Sequence, residues 1–229
     1  MRYSLLLFDA DGTLYDYEKG EVFALKKSLE EFGIENDFDK NLLLYKSINS
    51  TLWREFELKK ISADDLKVER FNRLFTTLNK SVNTKKFSDV YLENLSKATF
   101  IFQGVDHLLE ELFPLVPMVI ITNGLKQVQR PRFDRSSIGK YMQEYIISEE
   151  IGLQKPDPGI FEYAFRKLNY KEKNSALIIG DNLHSDILGG LNYGIDTCWF
   201  NPANRINDTE IRPTYTISKL TDLKKIIAY

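Results

Sequence analysis

Two aspartates spaced i, i+2, Asp9 and Asp11, follow directly on the apolar run Leu5-Leu6-Leu7-Phe8, and Gly12 and Thr13 come next. Alternate residues leaving a strand point the same way, so both carboxylates can face one ligand. Two acids at a buried strand end repel each other and resist desolvation unless a cation lies between them. A hard divalent ion such as Mg²⁺ takes oxygen ligands and offsets that cost. The plainer alternative is a strand running into an Asp-Gly turn with both acids solvated.

Comparable groups follow the later apolar runs. Thr122-Asn123-Gly124 comes after Ile120-Ile121, and Lys155-Pro156-Asp157-Pro158 comes after Tyr145–Ser148 by way of Gly152. Gly180-Asp181-Asn182 follows Ile178-Ile179, with Asp186 five residues beyond Asp181. Each is, singly, an ordinary turn or a solvated lysine. Ligands of open α/β sheets sit outside the C-terminal strand ends, however. Four strand ends in this order bring acids, a hydroxyl and a lysine to one rim.

The elements that must hold this rim are legible from periodicity. Strand candidates are Tyr3–Phe8, Val116–Ile121, Tyr145–Ser148, Ala176–Ile179, Ile195–Phe200 and Thr214–Ile217. Continuous apolar strands separated by helical segments imply a parallel sheet covered on both faces, an α/β core of Rossmann-like type. Between the first strand and the rest, from about Glu18 to Ala98, the pattern is helical. Val22, Leu25, Leu29 and Phe32 recur at three- and four-residue steps, as do Leu44, Ile48, Leu52 and Phe56, then Leu66, Phe71, Leu74 and Leu78. Ser62 before Asp64-Asp65 reads as an N-cap, Gly33 as a helix stop, and Asp157-Pro158 as the N-cap and first position of another helix. The expected organisation is a core built from residues 1–16 and 99–229, with a helical domain inserted over 17–98.

Composition narrows the class. The 229 residues carry 31 Lys+Arg against 33 Asp+Glu, a net charge of -2, so no basic field points to nucleic acid. Cys198 is the single cysteine, which excludes an internal disulfide framework and fits a reducing compartment. The one apolar run near the N-terminus, Leu5 to Phe8, is too short for a signal-peptide core or a membrane span. These features lead to the expectation of a cytoplasmic protein without a membrane partner; its oligomeric state is not readable.

Taken together, the motifs resemble those of the haloacid dehalogenase-like (HAD) superfamily. Asp9-Ala10-Asp11-Gly12-Thr13 is similar to its first motif, Thr122-Asn123-Gly124 to its second, Lys155 to its third and Gly180-Asp181 through Asp186 to its fourth. The helical block matches in position the cap inserted after the first motif. A closer similarity, to YjjG-type pyrimidine 5′-nucleotidases, runs through Tyr45, Asn49, Trp53 and Arg70-Phe71, then Gln129, Arg132 and Arg135, Ser148–Gly152 before Lys155, Ser185–Gly190 and the Thr197-Cys198-Trp199 segment.

The resemblance implies a Mg²⁺-dependent phosphomonoester hydrolase acting on a phosphorylated small molecule, in particular a nucleotide. By the same resemblance Asp9 is the nucleophile that forms an aspartyl-phosphate and Asp11 the general acid and base. Lys155 is the counter-charge, and Thr122 Oγ and the Asn123 N–H, beside Gly124, bind phosphate oxygens. The metal set the resemblance implies is the Asp9 carboxylate, the Asp11 main-chain carbonyl and Asp181, with Asp186 acting through a coordinated water or as an outer acceptor. Rival functions on the same fold are a small-metabolite phosphatase (phosphoglycolate or a sugar phosphate), a sugar-phosphate mutase, a dehalogenase and an inactive binding module. Asp11 argues against the dehalogenase, and the intact set of motif acids against the inactive module.

Selectivity falls to the inserted helices, since the four motifs read only phosphate. Tyr45, Asn49 and Trp53, spaced i, i+4, i+8, form one helical stripe. A flat aromatic beside an amide suits a nucleobase, by stacking and by edge hydrogen bonds. The alternative is a packing seam between helices. The two histidines have weaker claims: His107 lies in a helix after Gly104 with no partner acid patterned around it, and His184 borders the rim.

Overall fold

The computed structural model describes residues 2–34 and 36–227, which fall into two compact units. One comprises residues 1–17, 100–126 and 133–229; the other comprises 18–99 together with 127–132.

The first unit is built on six strands: β1 (Leu5–Phe8), β2 (Met118–Thr122), β3 (Glu144–Ile147), β4 (Ala176–Gly180), β5 (Asp196–Phe200) and β6 (Tyr215–Ile217). They pair in the order β3-β2-β1-β4-β5-β6, and every pairing is parallel. The continuous Leu, Ile and Val runs follow from that burial. Leu6 and Phe8 join one core, with Ile120, Leu177 and Ile179, and Leu5 and Leu7 join the other, with Val119, Ile121 and Ile178. Side chains alternate across a strand, so a strand covered on both faces must be apolar at every position.

Helices lie on both faces of the sheet. The four helices α1 (Tyr17–Glu31), α2 (Phe38–Glu57), α3 (Ala63–Thr77) and α4 (Thr84–Lys97) come between β1 and β2, followed by α5 (Val105–Leu112). Then come α6 (Lys126–Arg135), α7 (Ser148–Ile151), α8 (Pro158–Lys167), α9 (Leu188–Tyr193) and α10 (Leu223–Ile227). Val105, Leu108, Leu109 and Leu112 of α5 and Leu223 of α10 enter the first core, while Ile160, Phe161, Ala164 and Phe165 of α8 enter the second. Strand order reverses between β1 and β4, the switch point where such sheets bind ligands.

The helical unit packs α2 against α3 and α3 against α4 around an aromatic core. Tyr45 stacks on Phe71 with ring centres 5.7 Å apart, and Phe71 meets Phe87 and Tyr91 edge-on or tilted. Helix α3 starts at a capping box in which the Ser62 hydroxyl accepts the Asp65 N–H and the Asp65 carboxylate accepts the Ser62 N–H. Gly33 takes φ +65°, the left-handed conformation that ends a helix without a Cβ penalty. Among the described residues no helix is long and apolar enough to cross a membrane.

Candidate active site

Strand register assembles the site. Phe8 pairs with Ile120 of β2 and with Ile179 of β4, so the C-terminal ends of β1, β2 and β4 lie side by side. Asp9 continues the ladder by donating its N–H to Ile179 O at 2.9 Å. Beyond it the chain folds into a tight turn: Gly12 donates to Tyr15 O, and Leu14 and Tyr15 both donate to Ala10 O. Asp11 sits half-buried in that turn. Gly12 has φ +85°, and a Cβ there would fall 2.7 Å from the Asp181 carboxylate. A glycine is therefore needed both for the turn and for the approach of β4's acid.

Lys155 is the centre of charge. Its side chain is 1% exposed, and its ammonium donates to Asp9 Oδ1 at 2.6 Å and to Ile121 O at 2.7 Å. It also lies 2.7 Å from Asp186 Oδ1. Burial pulls the lysine toward its neutral form, but the facing carboxylates of Asp186 and Asp9 outweigh it and hold the ammonium above its ordinary range. Burial pushes Asp9 well above the usual carboxylate range; Lys155 opposes this, and the like charges of Asp186 and Asp181 add to it. Asp181 is pushed up to about 7, by burial first and then by Asp186, against the pull of Arg205 and Lys155.

The lysine is held in place by the second motif. Asn123 Nδ2 donates to Lys155 O at 2.8 Å, and the Lys155 N–H donates to Asn123 Oδ1 at 2.9 Å. Thr122 is buried, and its hydroxyl oxygen accepts the Gly124 N–H at 2.9 Å, which leaves its own proton for donation. After Lys155, which precedes a cis peptide bond to Pro156, the Asp157 side chain accepts the Gly159 N–H and caps α8 with Pro158 in its first turn. Asn182 plays a similar part after β4. Its side chain accepts the N–H groups of His184 and Ser185, and its own N–H binds Asp186 Oδ2. The short π-helical turn Leu183–Ile187 follows, and Asp186 fills the space a Gly180 Cβ would need.

Asp9, Asp181 and Asp186 each offer one carboxylate oxygen within 4.8 Å of the others. Three acids against one buried lysine leave negative charge in excess, and every donor is a hard oxygen, with Asp181 packed against Gly12 and Asp186 against Gly180. That set fits a divalent cation such as Mg²⁺.

The cap candidates share α2. Tyr45 is fully buried and donates to the Tyr91 hydroxyl at 2.8 Å. Asn49, also buried, donates to Glu21 Oε1 at 2.9 Å and accepts from Arg70 Nη1 at 3.3 Å. Trp53 is half-buried and meets Phe56 edge-on. Residues 127–132, including the buried Gln129 and Arg132, cluster with the helical unit.

Two points of the sequence reading change. His107 does have an acid at helical spacing, Glu111, 2.9 Å from its Nε2, but the pair is an exposed one on α5. Two groups reach Asp181 from outside the motif: Trp199, whose segment is similar to the nucleotidases but had no role marked there, and Arg205, which sequence reasoning missed because β5 and the loop after it meet β4 only through the sheet. Cys198 on β5 is buried, which pushes its thiol up to about 12 and leaves it a packing residue.

Residues 6–200 match the family of haloacid dehalogenase-like hydrolases. The chain belongs to that family of hydrolytic enzymes. It is 35% identical to the pyrimidine 5′-nucleotidase PynA of Streptococcus pneumoniae over 97% of this chain and 94% of that protein. It is 30% identical to the pyrimidine 5′-nucleotidase YjjG of Escherichia coli over 99% of both. The crystal structure of the putative HAD-hydrolase YfnB of Bacillus subtilis, bound to magnesium, superposes with a TM-score of 0.93 over the full length of both chains at 34% identity.

Proposed function

We propose that this phosphatase is a Mg²⁺-dependent nucleoside 5′-monophosphate phosphatase that prefers pyrimidine nucleotides and works through an aspartyl-phosphate on Asp9. The observation that carries the reading is the buried Asp9–Lys155–Asp186 cluster, with Asp181 beside it, at the C-terminal ends of parallel strands.

A carboxylate approaching a phosphate dianion is repelled by about 4 kcal/mol per pair of unit charges at ~4 Å in an effective dielectric near 20. Lys155 counters that repulsion from a position fixed before substrate arrives, so no reorganisation is needed at the moment of reaction. Its contact with Asp9 Oδ1 also fixes the carboxylate's orientation. Asp9 forms a bond to phosphorus as the ester P–O bond breaks. Asp11 gives the leaving oxygen its proton, then takes one from the water that attacks the phosphoenzyme, which releases phosphate and restores Asp9. The Thr122 hydroxyl and the Asn123 N–H bind the non-bridging oxygens. The Asp9 and Asp181 carboxylates and the Asp11 main-chain carbonyl would hold Mg²⁺, with Asp186 beside them; the ion supplies positive charge to the phosphoryl oxygens when bound.

The helical unit is assigned the leaving group. Trp53, the partly exposed member of the stripe, is the stacking group; Asn49, buried and engaged by Arg70 and Glu21, and Tyr45, in the aromatic core, hold the helix that presents it. Full-length likeness to two pyrimidine 5′-nucleotidases supports the base preference.

The test is kcat/KM over UMP, dUMP, dTMP, phosphoglycolate, hexose phosphates and p-nitrophenyl phosphate. A pyrimidine nucleotide is expected to exceed phosphoglycolate and the hexose phosphates by at least about tenfold, or 1.4 kcal/mol. Trp53→Ala is expected to lower kcat/KM for the nucleotide and spare p-nitrophenyl phosphate, which separates recognition from damage to the unit. The opposite ranking would end the nucleotidase reading and leave the phosphatase.

A further inference from the structure

The Asp181 main-chain carbonyl accepts two side-chain hydrogen bonds, one from Trp199 Nε1 and one from Arg205 Nη2, each at 3.0 Å. A carbonyl has two lone pairs, so this oxygen is fully engaged. Both donors come from outside the four motifs. Trp199 is a buried residue of β5, and Arg205 belongs to the loop that follows. That loop is built rather than loose. The buried Asn201 donates to Arg205 O and accepts the Arg205 N–H, both at 2.9 Å, and the Asn201 N–H continues the sheet to Ile217 O. The Arg205 guanidinium also lies over the Trp199 ring, 6.0 Å from its centre.

On its opposite side the Asp181 carboxylate rests where a Gly12 Cβ would be. Asp181 is thus held at its carbonyl by two donors and at its carboxylate by close packing. Arg205 Nη2 comes within only 3.9 Å of Asp181 Oδ2, beyond hydrogen-bond distance, and its side chain is 55% exposed beside a cleft of about 260 Å³. Solvent weakens so exposed a pairing, so the contact that counts is the one to the carbonyl.

We propose that Arg205 and Trp199 are positioning residues for the metal: they fix the Asp181 backbone so that its carboxylate is presented to Mg²⁺ already oriented. The inference rests on the Mg²⁺ reading of the site given above. Outer-shell partners of metal ligands cost about 10–100-fold in metal affinity when removed.

Charge makes the sign decisive. A cation near a metal ligand repels the metal, so if Arg205 acted only through its charge, its loss would tighten Mg²⁺ binding. Positioning demands the reverse. The measurement is Mg²⁺ affinity by calorimetry on the full chain without substrate, for the unaltered protein and for Arg205→Ala, Arg205→Lys and Trp199→Phe. Arg205→Ala is expected to bind Mg²⁺ about tenfold more weakly. Arg205→Lys, which keeps a donor, should recover most of that loss. Trp199→Phe removes a hydrogen bond without changing charge and should weaken binding in the same direction. At saturating Mg²⁺ the Arg205→Ala enzyme should regain most of its kcat.

Arg205 is exposed enough for its alanine variant to keep the fold, which circular dichroism checks, so that variant decides if Trp199→Phe unfolds. Unchanged or tighter binding by Arg205→Ala would overturn the positioning role and leave the metal site standing. Absence of Mg²⁺ binding by the unaltered chain would overturn the metal reading, and this role with it.

Discussion

Asn123 and Lys155 hold each other by a reciprocal pair of backbone–side-chain hydrogen bonds, 2.8 and 2.9 Å long, across 32 residues of sequence. The pair ties the end of β2 to the loop that carries the ammonium, so the residue that follows the motif hydroxyl also sets where the motif lysine stands.

Asn123→Ala removes both bonds and strands a donor and an acceptor of the Lys155 backbone. A stability loss of about 2 kcal/mol is expected in denaturant unfolding, from the cost of unsatisfied groups. The accompanying fall in kcat should exceed any rise in KM, since Lys155 is mispositioned while the Asn123 N–H remains. An alanine variant with unaltered kcat would show that the lysine loop holds itself.

Lys155→Met keeps the bulk of the side chain and removes its charge. Asp9 and Asp186 then face each other without the ammonium that now lies 2.6 and 2.7 Å from them. Breaking a buried pair in this way costs about 3–5 kcal/mol. Turnover should fall roughly 10²–10³-fold, as when one preorganised transition-state donor is lost. Mg²⁺ should recover part of the stability and little of the rate, read by thermal unfolding and by steady-state kinetics on the same preparation.

Stability in chelator should depend on pH in a stated direction. Asp181 is pushed from its ordinary 3.8 up to about 7 in the folded chain. A carboxyl raised on folding binds more protons folded than unfolded, so its contribution is complete below about 3.8 and is lost as pH rises through about 7. Mg²⁺ binds the ionised form and removes that loss. The gain in melting temperature on replacing EDTA with Mg²⁺ should therefore grow between pH 5 and about 8. A gain that shrinks over this range would contradict the assignment of Asp181 to the metal.

Gly12→Ala tests the cradle. The left-handed φ costs an L-residue about 1–2 kcal/mol, and the added carbon meets the Asp181 carboxylate at 2.7 Å. The fold should survive, while the Mg²⁺ concentration for half-maximal activity rises. A variant with unaltered metal dependence would show that Asp181 can shift without consequence.

Much of the core was legible because its signals are local. Runs such as Leu5–Phe8 and Ala176–Ile179 are apolar at every position, as strands buried on both faces must be, and the chemistry-bearing residues stand immediately after them. The Ser62 and Asp157 caps were equally readable, since a cap is written within four residues. What escaped is non-local. Asn123 reads as a phosphate-site residue, yet its side chain serves Lys155. Nothing near Arg205 or Trp199 announces that both serve Asp181, because only β4–β5 pairing brings them together. The α2 stripe showed spacing but not partners: Glu21 and Arg70, which engage Asn49, come from two other helices.

A covalent phosphoryl group on Asp9 is trapped by acid-quenching Asp11→Asn during turnover of p-nitrophenyl phosphate labelled in its phosphoryl group. That leaving group departs without a general acid, so the first step proceeds while the water-attack step, deprived of its base, stalls. The expected result is a burst of about one p-nitrophenolate per site and a base-labile label on the peptide containing Asp9, with burst and label both absent when Asp9→Asn is added. Turnover without burst or label, or a label that persists in the double variant, would contradict it.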